Sequence, residues 1–122
     1  MNIEEYRDYC LAKPGVTEST PFTESVLVFK VMGKMFALTD MDNFVSINLK
    51  CDPERAIELR SNYEAINPGY HMSKKHWNTV TVNTGLEDSL VWELIDHSYE
   101  LVVARLPKKD RETLRKEQDP NS

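Results

Sequence analysis

The feature that most constrains this chain is a change in hydrophobic period. Between Ser25 and Lys50 apolar residues recur at every second position, whereas from Leu86 to Val102 they recur at the three- and four-residue spacing of a helix. Leu27, Phe29 and Val31 share one face of a strand, Gly33 supplies a turn, and Phe36 and Leu38 mark a second strand running back. Asp40-Met41-Asp42-Asn43 makes the next turn. Val45, Ile47 and Leu49 then line one side of a third strand, and Ser46, Asn48 and Lys50 line the other. A meander with one apolar side needs a cover. Val26, Val28 and Met32 make the second side of the first strand apolar too, which points to core packing on both faces or to a partner surface.

The cover comes from helical segments. Asn2 and Glu5 have capping-box spacing ahead of Ile3, Tyr6 and Cys10, predicting a helix over 3–12 that Lys13-Pro14-Gly15 ends. The following segment through Pro21-Phe22 reads as a loop. Asp52-Pro53-Glu54 is a second helix start, leading to about Asn62 and burying Ala56, Ile57 and Leu59. Tyr63 to Ile66 reads as a short strand, Asn67-Pro68-Gly69 as a turn, and Trp77 to Asn83 as the last strand. Thr84 and Glu87 repeat the capping spacing before a helix over 86–105, and Lys108 to Glu117 adds a basic turn or short helix. The expected order is α-β-β-β-α-β-β-α. This is an α+β two-layer sandwich, an antiparallel sheet with helices on one face. The expected organisation is one domain over 1–117 and a flexible tail over 118–122.

A chain of 122 residues can bury a core without disulfides or a structural metal. Cys10 and Cys51 lack C-x-x-C spacing, so reduced, buried thiols are expected. No run is long enough to span a membrane, and the first residues have no signal-peptide pattern, so the expectation is a cytoplasmic protein. Oligomeric state is left open, a monomer being the simpler expectation. Nucleotide-binding glycine motifs, a nucleophile elbow and H-E-x-x-H are all missing. His71, His76 and His97 match no metal-ligand spacing, so neither a metal nor another cofactor is expected, and no catalytic residue is assigned.

What remains is an uninterrupted cationic and aromatic stretch, Lys74-Lys75-His76-Trp77-Asn78. Lysines hold phosphates as point charges, tryptophan stacks on bases, and asparagine bonds a base edge or phosphate. Two lysines beside a tryptophan more often mark a solvated turn followed by an aromatic anchor for the core. Net charge is −5, which opposes binding to a polyanion, but residues 65–83 carry a local +2 and 105–116 a local +4. Charge is polarised if those two segments meet in the fold.

Longer ordered motifs bear on this choice. Asn48-Leu49-Lys50-Cys51-Asp52-Pro53-Glu54, Pro68-Gly69-Tyr70-His71-Met72 with Lys74 to Val80, Asp96-His97-Ser98-Tyr99-Glu100-Leu101-Val102, and Leu106-Pro107-Lys108-Lys109 stand in sequence order. Together they resemble the MmcQ/YjbR family over about Met1 to Arg111. The resemblance implies a compact α+β fold similar to frataxin-like CyaY proteins, with hairpins projecting as a double wing. It also implies DNA binding, the label commonly given to that family. The leading expectation is a non-enzymatic DNA-binding module in which Lys74, Lys75, His76, Trp77 and Asn78, helped by Lys50, Lys108, Lys109 and Arg111, meet the phosphate backbone. The alternative is a protein- or small-ligand-binding module in which Trp77 and Tyr70 pack the wing onto the sheet. Iron handling, which a frataxin-like fold also suggests, would have only Glu4, Glu5 and Asp8 on the first helix.

Overall fold

A computed structural model describes residues 1–118. The elements are α1 (Ile3–Leu11), β1 (Val16–Ser19), β2 (Val26–Val31), β3 (Lys34–Asp40), β4 (Ser46–Lys50), α2 (Pro53–Asn62), β5 (Ile66–Pro68), β6 (Trp77–Thr81), α3 (Asp88–Ala104) and α4 (Lys108–Gln118). The strands form one antiparallel sheet in the order β1-β2-β3-β4-β6-β5. Buried helix residues such as Tyr6, Leu59, Ile95 and Leu114 join one large apolar cluster with Phe29, Ile47 and Val80. A smaller cluster of Val28, Leu38 and Trp77 contains no helix residue. The helices therefore cover one face of the sheet, giving the α+β two-layer sandwich, and the other face is open apart from that patch.

Capping sets two of the helix starts as the sequence predicts. The Glu5 amide donates to Asn2 Oδ1 (2.8 Å) and the Asn2 amide to Glu5 Oε1 (3.2 Å), satisfying two otherwise free donors of α1. Tyr6 then meets the Phe29 ring edge-on at 5.4 Å. In α2, Asp52 Oδ2 accepts from the Arg55 amide and Pro53 occupies the first turn. That helix buries Ala56 and Leu59, but Ile57 is 63% exposed. One residue beyond Ala56 lies about 100° around the helix, outside the face that meets the sheet.

Several boundaries differ from the sequence-based expectation. Val16–Ser19, expected as loop, pairs with β2 as an edge strand, so the sheet has six strands and the element order gains β1. Its Glu18 is held by Arg7 (Nε–Oε2 2.6 Å), so a charge stands where alternation would have shown an apolar residue. The strand expected at Tyr63 to Ile66 begins only at Ile66, because Tyr63 still closes α2, its amide donating a hydrogen bond to Leu59 O. Thr84 and Glu87 form no capping box. Asn83 and Gly85 take positive φ (61° and 96°), and α3 starts at Asp88 without a side-chain cap. The expected tail begins at Gln118, which closes α4, and its remaining residues, 119–122, lie outside the described residues.

The one-sided meander also needs correction. Register slips between Phe29 and Lys30, so Phe29 faces Ala37 while Lys30 faces Met35, and Phe36 is the extra residue of a bulge. A single inserted residue inverts side-chain parity. Phe36 and Ala37 both enter the helix-side core, and Leu38 turns to the open face beside Val28. Ser98 of α3 donates to the Phe36 carbonyl (2.5 Å) and accepts from the Lys50 amide (2.9 Å), joining the bulge to the end of β4. The β2–β3 turn is two residues, Met32 and Gly33 with φ of 49° and 81°, the type that matches strand twist. At Gly15 (φ 72°) an added Cβ would collide with the Leu114 side chain, so that glycine lets α4 dock.

Candidate functional site

The cationic and aromatic stretch singled out in the sequence forms the loop from Gly69 to His76 and the first two residues of β6. The loop is pinned to the sheet at several points. The Gly69 amide donates to Trp77 O (2.8 Å), the Tyr70 amide to Thr79 Oγ1 (2.9 Å), and the Cys51 amide to His76 O (2.8 Å). A Cβ on Gly69 would stand 2.7 Å from Trp77 Cβ, so only glycine allows this approach. From α2, Arg60 donates through Nε to Asn78 Oδ1 (2.7 Å), through Nη2 to Trp77 O (3.2 Å), and to the Lys74 carbonyl.

β-strand parity divides the expected contact residues. Lys50 and Trp77 lie opposite each other in the β4–β6 register, on the open face. Trp77 is 8% exposed and packs with Val28 and Leu38, with Met35 and Met72 at the margin. Its ring anchors the small cluster and offers no free face for a base. Asn78 points the other way, is 2% exposed, and has its oxygen taken by Arg60. It is therefore withdrawn from the surface, contrary to the expectation that it meets nucleic acid. Tyr70, expected in the alternative reading to pack the wing down, is 69% exposed.

The lysines fare differently. Lys50, Trp77 and Met35 line a groove of about 240 Å³ with Lys34 from the start of β3 and Arg105 from the end of α3. Burial, and then repulsion from Arg105, holds the Lys50 ammonium below the ordinary lysine range. Lys74 and Lys75 are exposed on the loop, where Lys74 Nζ reaches Gly69 O at 3.3 Å. His76, half-buried, joins them through its backbone bond to Cys51, next to Lys50. Lys108, Lys109 and Arg111 are exposed on α4, which begins three residues beyond Arg105, and Lys108 lies 4.0 Å from Glu112. Lys50 thus sits between the loop and the end of α3. Lys34 was missed in the sequence because it falls in no run, and Arg105, counted in the basic stretch 105–116, was not singled out as a contact. Arg60 was missed because α2 looks like any charged surface helix.

Among the described residues, carboxylates pair with cations of the helix side and, on this edge, with Lys108 alone. Arg7 pairs with Glu18, Lys13 with Asp96, and Arg55 with both oxygens of Glu93 at 2.7 Å. Among the described residues, Lys34, Lys50, Lys75, Arg105 and Arg111 have no carboxylate within 4.0 Å.

A second hollow, of about 570 Å³, lies on the open face toward the other end of β4. Ser46 and Asn48 line it, whereas Lys50 of the same strand lines the basic groove. Over it stands the loop residue His71, at φ 58° with its ring 4.0 Å from that of Tyr70. His97 stands on α3, its Nε2 accepting the Asp52 amide (3.2 Å). No group of three or more His, Cys, Asp or Glu among the described residues is placed to hold a metal ion. Cys10 and Cys51 are unpaired and buried, and burial pushes their thiols up to about 12 and about 11. No helix among the described residues is long and apolar enough to cross a membrane.

The YjbR family model matches residues 11–101. The chain is 36% identical over 115 residues to the uncharacterised protein YjbR of Escherichia coli K12, covering 93% of this chain and 98% of that one. It is 37% identical over 113 residues to the uncharacterised protein YbdF of Escherichia coli O157:H7, covering 92% and 93%. Among solved structures it is similar to Deinococcus radiodurans protein DR2400, described as domain DUF419. The TM-score there is 0.86 at 40% identity, over 93% of this chain and 87% of that one. A Pseudomonas syringae protein gives a TM-score of 0.71 at 31% identity, over 83% and 98%.

Proposed function

From the premise that this chain belongs to the YjbR family, we propose that it is a DNA-binding protein without catalytic activity, holding the phosphate backbone along one cationic edge. The carrying observation is the groove in which Lys34, Lys50 and Arg105 converge beside Trp77 with no carboxylate partner among the described residues. Lys50 is the pivot, with the Lys74-Lys75-His76 loop on one side and the approach to Lys108, Lys109 and Arg111 on the other. Trp77 and Asn78 act from behind, the first as an anchor of the open-face cluster and the second as the link to Arg60. A body of net charge −5 with such an edge presents one orientation to a polyanion.

The test is fluorescence anisotropy with a labelled duplex across a salt series. Each phosphate neutralised contributes roughly 0.9 to the slope of log K against log salt. Substituting Lys34, Lys50 and Arg105 together by Ala is expected to lower low-salt affinity at least about tenfold and to flatten that slope. Lys74→Ala/Lys75→Ala acts in the same direction. No association at low salt, or a triple variant that binds like the parent, refutes the reading. A second reading, a module that binds a small ligand or protein through a surface cleft, is favoured by the 570 Å³ hollow on the same sheet face.

A further inference from the structure

We infer that this hollow is a binding site for a small amphiphilic organic cation, an amine carried on an aromatic or branched apolar body. The inference rests on the ligand-binding reading just given and names its ligand. At about 570 Å³ the space falls within the range of small-molecule pockets. Its floor is Val26 and Leu38, and its rim carries Phe22 and Tyr70, exposed by 65% and 69%. Two large aromatic rings standing in water beside an apolar floor are suited to cover a flat or branched body, and their faces attract a cation.

The polar groups select the charge. No lysine or arginine lines the hollow, and its one carboxylate is that of Asp40. Asp42 and Glu24 border a shallower depression of the same surface, so the approach is also anionic. Asp40 Oδ1 accepts from the Asp42 amide (2.9 Å), which fixes the carboxylate and leaves Oδ2 for a ligand donor. Across the floor, Asn48 Oδ1 accepts the Thr79 hydroxyl proton (2.6 Å), and Thr79 Oγ1 accepts the Tyr70 amide. That chain orients the Asn48 amide and leaves its NH₂ to donate to a ligand acceptor. An anion would meet Asp40 with repulsion and find no lysine or arginine to offset it, the one basic side chain of the lining being the His71 imidazole.

The experiment is a heteronuclear NMR titration of the full chain with phenethylamine, 2-phenylethanol and phenylacetate, which share a ring and differ in charge. The amine is expected to shift the resonances of Phe22, Asp40, Asn48 and Tyr70 and to bind at least about tenfold more tightly than the alcohol, with phenylacetate weakest. Asp40→Asn should bring amine and alcohol together, and Tyr70→Ala should weaken both. Circular dichroism checks that each variant folds, and the three probes on the unsubstituted chain stand without them. Alcohol or phenylacetate binding as tightly as the amine overturns the cation and leaves the ligand cleft. Failure of all three probes to shift these residues overturns both. Replacing Lys34, Lys50 and Arg105 by Ala leaves the titration unchanged.

Discussion

The two faces of the sheet bury apolar surface by different means. On the helix face, four helices and the bulged β3 interlock, and arginines or lysines at the perimeter are matched by Glu18, Asp96 and Glu93. On the open face, among the described residues, Val28, Leu38 and Trp77 are buried with Val26, Met35 and Met72 at their margin, roofed by a loop, with unmatched cations at one end and Asp40 at the other. The first face is built to be left alone. The second spends its few apolar contacts on holding a loop in place, and its charges face solvent, which is the arrangement that binding requires and stability does not.

The sharpest way to break that contrast is Trp77→Ala. If the open-face cluster is a true second core, urea unfolding should show a loss of about 3–5 kcal/mol, similar to a large truncation on the helix face. A loss below about 1 kcal/mol would mean that the loop is held by its backbone bonds alone. Gly15→Ala tests the helix side. Strained φ and a collision with Leu114 should cost about 1–3 kcal/mol and free α4, read as loss of helical ellipticity before the main transition.

Arg60 joins the layers, so Arg60→Met should cost about 1–3 kcal/mol by leaving the buried Asn78 Oδ1 without its donor. Limited proteolysis should then cut between Gly69 and His76. Unchanged cleavage would show that the loop does not depend on the helix.

The smallest effect concerns acid. His97 is held below its ordinary value, first by burial and then by Arg55, and it must be neutral to accept the Asp52 amide. Its unfolded form binds the proton more readily, so its contribution to stability is complete above the ordinary value of about 6.5 and is lost as pH falls through the lower folded value. His97→Gln should flatten stability in that interval, and a pH profile identical to the parent's would exclude the mechanism.

Much of this architecture was legible because local chemistry decided it. Asn2 with Glu5, Asp52 with Pro53, and the alternation of β4 need no distant partner to be read. What escaped depended on partners far along the chain. β1 holds Glu18 inward only because Arg7 meets it, and the insertion at Phe36 is stabilised by Ser98, 62 residues away. The candidate interface was legible in the same measure. A run of lysines is visible in sequence, so Lys74 and Lys75 stood out, whereas Lys34 and Arg105 join Lys50 only after the meander folds. The outward appearance of Asn78 was misleading because a one-residue step along a strand exchanges solvent for core, and only the pairing with β4 fixes which residue is which.

The outermost strands carry a further consequence. β1 has four residues, and β5 has three, ending in Pro68, which has no amide proton to give. Neither margin can recruit a foreign strand over a useful length, so extension of the sheet by a neighbour or an unfolded peptide is blocked at both sides. Such short margins disfavour edge-to-edge growth, and crowding in solution should leave the protein free of fibrous aggregates.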